Sequence, residues 1–93
     1  LFASSSEVYG EPDLNPIDEN FPTKGKSCYA ITKMMGESLV ESYNKMDNNL
    51  KFVILRFGSL YGSRSNKFNP IGNFILQALE NKPITLVSAS RSL

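Results

Sequence analysis

Histidine and tryptophan are absent from this chain of 93 residues, and cysteine occurs once, as Cys28. With no imidazole and a single thiol, the usual zinc ligand sets cannot be assembled, so no metal site is expected. A lone cysteine cannot close an internal disulfide, which suits a reducing, cytoplasmic setting and makes Cys28 a small packing residue. No run approaches the ~18 apolar residues of a membrane span, and the charged and apolar regions of a signal peptide are missing. The net charge is +1, with neither sign gathered into a block. That distribution offers no footprint for nucleic acid or an anionic membrane surface. Internal repeats and low-complexity tracts are absent too.

What is present is a globular composition, 41% apolar and 20% charged, in a length that buries only a modest core. The chain opens on Leu1 instead of methionine and stops at Ser92-Leu93 without a polar tail. Both ends read as cuts through a larger domain, and any leader would lie outside. The pattern along the chain is strand, long loop, helix, strand, loop, helix, strand, the alternation expected of a parallel sheet with crossover helices.

Phe2 and Ala3 close a first strand. From Tyr9 to Lys26 the density of Gly, Pro, Asp and Asn, with Pro12, Pro16 and Pro22 spaced through it, excludes regular helix, and loops this long usually carry function. A helix begins after Ser27 as N-cap and runs to about Met46, where Asp47-Asn48-Asn49 breaks it. Ile31, Met35, Leu39 and Tyr43 or Met46 recur at helical spacing and are expected to form its buried stripe. Met34 and Met35 read as core or subunit packing in preference to a soft binding surface. The apolar run Phe52-Val53-Ile54-Leu55 suits a central parallel strand covered on both faces. A second helix has Asn69 as N-cap, Pro70 at its first position and Ile71, Phe74, Ile75, Ala78 and Leu79 on one face. Asn81 and Pro83 stop it, and Ile84 to Val87 reads as a further strand.

The chemistry gathers around Tyr29 and Lys33, which stand at i and i+4 and so share one helix face. Such a pair arises readily by chance, and on its own describes a half-buried tyrosine beside a solvated lysine. A phenol is a poor base at neutral pH unless a nearby cation stabilises its phenolate, and a lysine one turn away supplies that cation. Ser5 lies at the C-terminal end of a strand, where open parallel sheets place ligands, and its hydroxyl can bond the same reacting oxygen. In a serine cluster the alternative for Ser5 is simple turn chemistry. Base, cation and orienting hydroxyl together make a proton relay suited to oxidation beside a nicotinamide.

Three motifs stand in order along the chain: Ser4-Ser5-Ser6-Glu7-Val8-Tyr9-Gly10, then Cys28-Tyr29-Ala30-Ile31-Thr32-Lys33 with Glu37, then Leu55-Arg56-Phe57-Gly58-Ser59-Leu60-Tyr61-Gly62-Ser63-Arg64. In this the chain resembles the extended short-chain dehydrogenase/reductase family, specifically its nucleotide-sugar epimerases and dehydratases. The resemblance implies an α/β fold, with residues 1–93 a partial Rossmann-type doubly wound parallel sheet from the C-terminal portion of the NAD-binding domain. It implies Tyr29 as catalytic base, Lys33 as the cation that activates it and holds the nicotinamide ribose, and Ser5 on the sugar hydroxyl being oxidised. Phe57 and Gly58 would pass beside the nicotinamide, and Ser5, Ser6, Ser59 and Asn69 would contact the nucleotide sugar. The implied cofactor is NAD, with NADP left open, and the implied assembly is a homodimer through the Tyr29/Lys33 helix.

Departures from the family pattern shape the expectation. Ser59 stands where many members carry Asn, and Ser63 replaces a frequent proline. The family's Gly-rich phosphate-binding turn does not occur in these 93 residues, so the chain alone is expected to be inactive. Glu7 bears on reaction type. In dehydratases and UDP-glucuronate decarboxylases that resemble this chain, a glutamate here takes part in chemistry at neighbouring carbons. The short Ser5-to-Tyr29 loop and the absence of an acid at position 6 favour an epimerase, with dehydratase or decarboxylase as the alternative. A reading of another class is a non-catalytic remnant or interaction module that keeps the helices for association.

Overall fold

The computed structural model describes residues 1–13, 15–47, 49–65 and 68–86. It falls into two compact units, Leu1–Gly58 and Ser59–Leu93. In the first, strand β1 (Phe2–Ser5) runs into a single 3₁₀ turn (Ser6–Tyr9), a long loop leads to helix α1 (Cys28–Met46), and strand β2 (Ile54–Phe57) follows. The two strands pair in parallel, Phe2 with Ile54, Ala3 with Leu55, Ser4 with Arg56 and Ser5 with Phe57. Parallel neighbours need a long crossover, and α1 provides it.

Helix α1 starts where the sequence places it. The Ser27 hydroxyl accepts the Ala30 amide at 3.0 Å, satisfying one of the amides a helix start leaves unpaired, and Asp47 caps the other end. The face it turns inward is not the expected one. Ala30 and Glu37 are buried, and Lys33, Val40 and Asn44 on the same stripe are half-buried. Ile31, Met35, Leu39, Tyr43 and Met46 are all exposed, Met35 by 66% and Met46 by 82%. The apolar stripe therefore looks away from the sheet. Hydrophobic periodicity identifies a face but not what covers it, and here a mixed stripe, in which Lys33 and Glu37 have fixed partners, takes the sheet side.

Close approach of α1 to β1 depends on Gly36, where a Cβ would overlap the ring of Phe2. Val8, Ala30 and Tyr9 make up the buried apolar core, accompanied by Ser4, Ser5 and Glu37. Gly10 ends the 3₁₀ turn at a φ of 69°, and a side chain there would also press on the Lys24 carbonyl. The 3₁₀ turn itself was not expected. Strand β2 lies two residues later than the apolar run suggests. Ile54 to Arg56 are half-buried and Phe57 is exposed, so the expected cover on both faces is not found, and β1 is its only strand neighbour among the described residues.

The second unit holds helix α2 (Pro70–Leu79), with Asn69 as N-cap and Pro70 at its first position as the sequence predicts. Its end is a Schellman motif: Asn81 takes a φ of 52°, its amide bonds Ala78 carbonyl at 3.2 Å, and the Lys82 amide bonds Gln77 carbonyl at 2.8 Å. Of its expected apolar face, Ile71 and Phe74 are half-buried while Ile75, Ala78 and Leu79 are exposed. The predicted last strand is not formed at Ile84 to Leu86, and Val87 lies outside the described residues. No helix among the described residues is long and apolar enough to cross a membrane.

Candidate active site

Ser5 closes β1 at the C-terminal edge of the sheet and caps the turn that follows, its buried hydroxyl accepting the Glu7 amide at 3.2 Å. A hydroxyl used as an acceptor keeps its own proton for donation. The capping that was the plainer reading of Ser5 is therefore compatible with a role toward a ligand. Ser6 and Glu7 are exposed on the turn. Glu7 reaches the start of α1, accepting from the Ser27 hydroxyl at 3.4 Å. The Val8 carbonyl accepts the Lys24 and Gly25 amides, each at 2.9 Å. The Ser5–Tyr9 turn is thus tied to the N-terminus of the helix that bears Tyr29 and Lys33.

Tyr29, half-exposed at 51%, and Lys33 share one face of α1, with the Lys33 ammonium 5.7 Å from the centre of the Tyr29 ring and 5.6 Å from that of Phe2. That ammonium donates to the Ala3 carbonyl at 2.9 Å. It crosses from helix to strand two residues before Ser5. An ammonium has three donors, so Ala3 leaves others for a ligand. Phe57, register partner of Ser5, is exposed, and Gly58 has nothing within 4 Å of the place a Cβ would occupy. Of the expected residues, Ser5, Ser6, Glu7, Tyr29, Lys33, Phe57 and Gly58 lie in the first unit. Ser59 and Asn69 belong to the second, where the Asn69 side chain accepts the Ile71 amide at 3.0 Å and donates to the Leu60 carbonyl.

A group of residues to which the sequence reading gave no role lies beneath this edge. Arg56 forms a two-pronged ion pair with Glu37, Nε to Oε1 at 2.9 Å and Nη2 to Oε2 at 2.7 Å. Its remaining nitrogen, Nη1, donates to the Tyr9 hydroxyl at 2.9 Å and the Glu19 carbonyl at 3.1 Å. Ser4 donates its hydroxyl to Glu37 Oε1. Hydrogen bonding from Arg56, with help from Ser4 and the guanidinium charge, outweighs burial and holds the Glu37 carboxyl below its ordinary value. Glu37 in turn raises Arg56 above the usual guanidinium range. One signal in the sequence points to this group: an arginine in the apolar run Val53-Ile54-Leu55-Arg56-Phe57 demands a buried partner.

A parallel β-α-β unit with a Tyr-Lys helix laid across the strand that delivers a serine defines a Rossmann-type α/β protein, a fold that takes its ligands at the C-terminal edge of the sheet. The family model described as "NAD dependent epimerase/dehydratase family" matches residues 1–93, and the chain belongs to that family. It is 38% identical over 86 residues to the uncharacterized UDP-glucose epimerase YtcB of Bacillus subtilis, covering 92% of this chain and 27% of that protein. It is 33% identical over 93 residues to UDP-glucuronic acid decarboxylase 1 of Danio rerio, covering 92% of this chain and 22% of that one. Among solved structures, the UDP-glucuronic acid 4-epimerase of Bacillus cereus in complex with NAD superposes with a TM-score of 0.78 at 36% identity, over 90% of this chain and 27% of that one. The chain spans roughly a quarter of the length of these relatives.

Proposed function

We propose that residues 1–93 are part of a larger Rossmann-fold domain of an NAD-dependent nucleotide-sugar epimerase, in which Tyr29 is the base, Lys33 its cation and Ser5 the hydroxyl that orients the substrate. The observation that carries this reading is Lys33 spanning from α1 to the Ala3 carbonyl at 2.9 Å, which fixes the Tyr-Lys face over the strand that ends in Ser5. The donor set suits a nicotinamide nucleotide: Lys33 retains donors for ribose hydroxyls, the Tyr29 ring is half-exposed, and the backbone at Gly58 is open. NAD, when bound, would take the hydride from the sugar carbon to leave a 4-keto sugar, and return of that hydride to the opposite face would complete the epimerisation. Tyr29 takes the hydroxyl proton from that carbon while Ser5 holds the same oxygen. Lys33 stabilises the phenolate that receives this proton. Ser6, Ser59 and Asn69 are assigned to the nucleotide sugar, and Phe57 and Gly58 to the nicotinamide side.

A second reaction on the same site is decarboxylation or dehydration with Glu7 as an additional acid or base. It is favoured by the Ser27 to Glu7 bond, which holds that carboxylate at the start of the Tyr29 helix. The exposed Ile31, Met35 and Leu39 stripe supports a homodimer through α1, and a cytoplasmic setting accords with the single thiol.

In the full-length protein, Tyr29→Phe is expected to lower turnover of UDP-glucose or UDP-glucuronic acid by about 10²–10⁴-fold while substrate affinity stays close to wild type. Retention of more than about a tenth of the rate would remove Tyr29 as base. Product analysis by NMR separates the reactions: an inverted C4 hydroxyl marks an epimerase, loss of the carboxylate a decarboxylase, and a 4-keto-6-deoxy sugar a dehydratase.

A further inference from the structure

We propose that Glu37 and Arg56 are positioning residues, whose ion pair sets where α1 sits along β1 and so holds the Ser5–Tyr9 turn against Tyr29 and Lys33. The proposal rests on the reading of Tyr29, Lys33 and Ser5 as the reaction centre. Ser4 and Arg56 are register partners on adjacent strands, so both side chains leave the same face of the sheet. Both end on the Glu37 carboxylate.

One turn earlier on α1, Lys33 holds the Ala3 carbonyl. Successive turns of the helix therefore grip successive residues of the strand, and the next residue is Ser5. The far end of the functional turn is held by the same guanidinium, through Arg56 Nη1 to the Tyr9 hydroxyl. Ser5 fixes the near end by capping, and between the two ends the turn is tied to the start of α1 through Glu7 and Val8.

Apolar packing would serve stability as well, since a buried ion pair is often replaced by hydrophobic residues of similar volume without loss. Apolar contacts hold elements together without aiming individual groups, because they are non-directional. The bidentate pair, the Ser4 hydroxyl that donates to it and the Tyr9 hydroxyl that accepts from Arg56 are directional, and together they join α1, β1, β2 and the end of the 3₁₀ turn. A displacement of the order of 1 Å in such a constellation costs about a hundredfold in rate.

The test uses the full-length protein with two variants, Glu37→Met/Arg56→Met, which removes both charges together, and Glu37→Asp, which keeps the charge and shortens its reach. Thermal midpoint, kcat and KM for the UDP-sugar, and hydrogen exchange of the Glu7 and Val8 amides are measured. In whichever variant keeps a near-native midpoint, kcat is expected to fall about a hundredfold with KM changed by less than about twofold, and exchange to quicken. Recovery of kcat together with the midpoint, or a loss confined to KM, would show a purely structural pair and overturn the proposal; so would unaltered exchange. Wild-type protein that turns over no UDP-sugar would instead refute the enzyme reading, and the exchange measurement alone would then decide whether the pair holds the turn.

Discussion

Arg56 is the residue on which the most segments converge. A guanidinium offers its donors in a fixed planar fork, and here that fork meets a carboxylate on α1, a phenol at the end of the 3₁₀ turn and a backbone carbonyl in the long loop. The Tyr9 ring also lies 4.9 Å from the guanidinium carbon. Arg56→Lys keeps the charge and loses the fork. It is expected to lower stability by about 2 kcal/mol, read as a lower urea midpoint at unchanged slope. A slope that falls as well would mean that the variant no longer unfolds in one step.

At the scale of elements, α1 carries two unlike faces, and the apolar one is uncovered. If the full-length protein forms the proposed homodimer through α1, Met35→Lys with Leu39→Lys is expected to give a monomer in sedimentation while leaving the helix signal intact, since charges at the centre of an apolar contact are strongly disfavoured. An unchanged dimer would move the interface elsewhere. The helices were legible in the sequence because their ends are written in local chemistry: Ser27 and Asn69 as caps, Pro70 at a first position, Asn81 where the chain turns left-handed. Strand β2 was legible only to within two residues, because an apolar run records cover by neighbours and not the start of pairing. The inward face of α1 was not legible, since Lys33 and Glu37 look like solvent residues until Ala3, Ser4 and Arg56 are known to lie opposite. The same holds for the candidate site. Tyr29, Lys33 and Ser5 stand out by type and spacing, whereas the residues that hold them in place have partners far away in sequence.

For the molecule as a whole, the depressed Glu37 carboxyl makes stability depend on pH in a definite direction. Its folded value lies below its unfolded value. The unfolded chain therefore binds the proton more readily, and stability rises with pH through that range. The contribution is complete above the ordinary glutamate range and is lost as pH falls through the lowered Glu37 value. Urea midpoints of wild type and Glu37→Gln, followed from neutral pH into acid, are expected to converge as that carboxylate is protonated. Curves that stay parallel would mean that some other group governs the acid limb.

Gly36 gives the candidate edge its tolerance. The helix lies as near to β1 as a bare backbone face permits, with the ring of Phe2 filling the place of a side chain. The reach of Lys33 to Ala3 and of Glu37 to Ser4 is measured from that contact. A single methyl at position 36 would press on that ring, and where the ring did not turn aside it would act as a shim between helix and strand, loosening both grips. The proton-handling chemistry proposed for this edge would thus be calibrated by an atom the chain omits, at a position outside every residue assigned to the reaction.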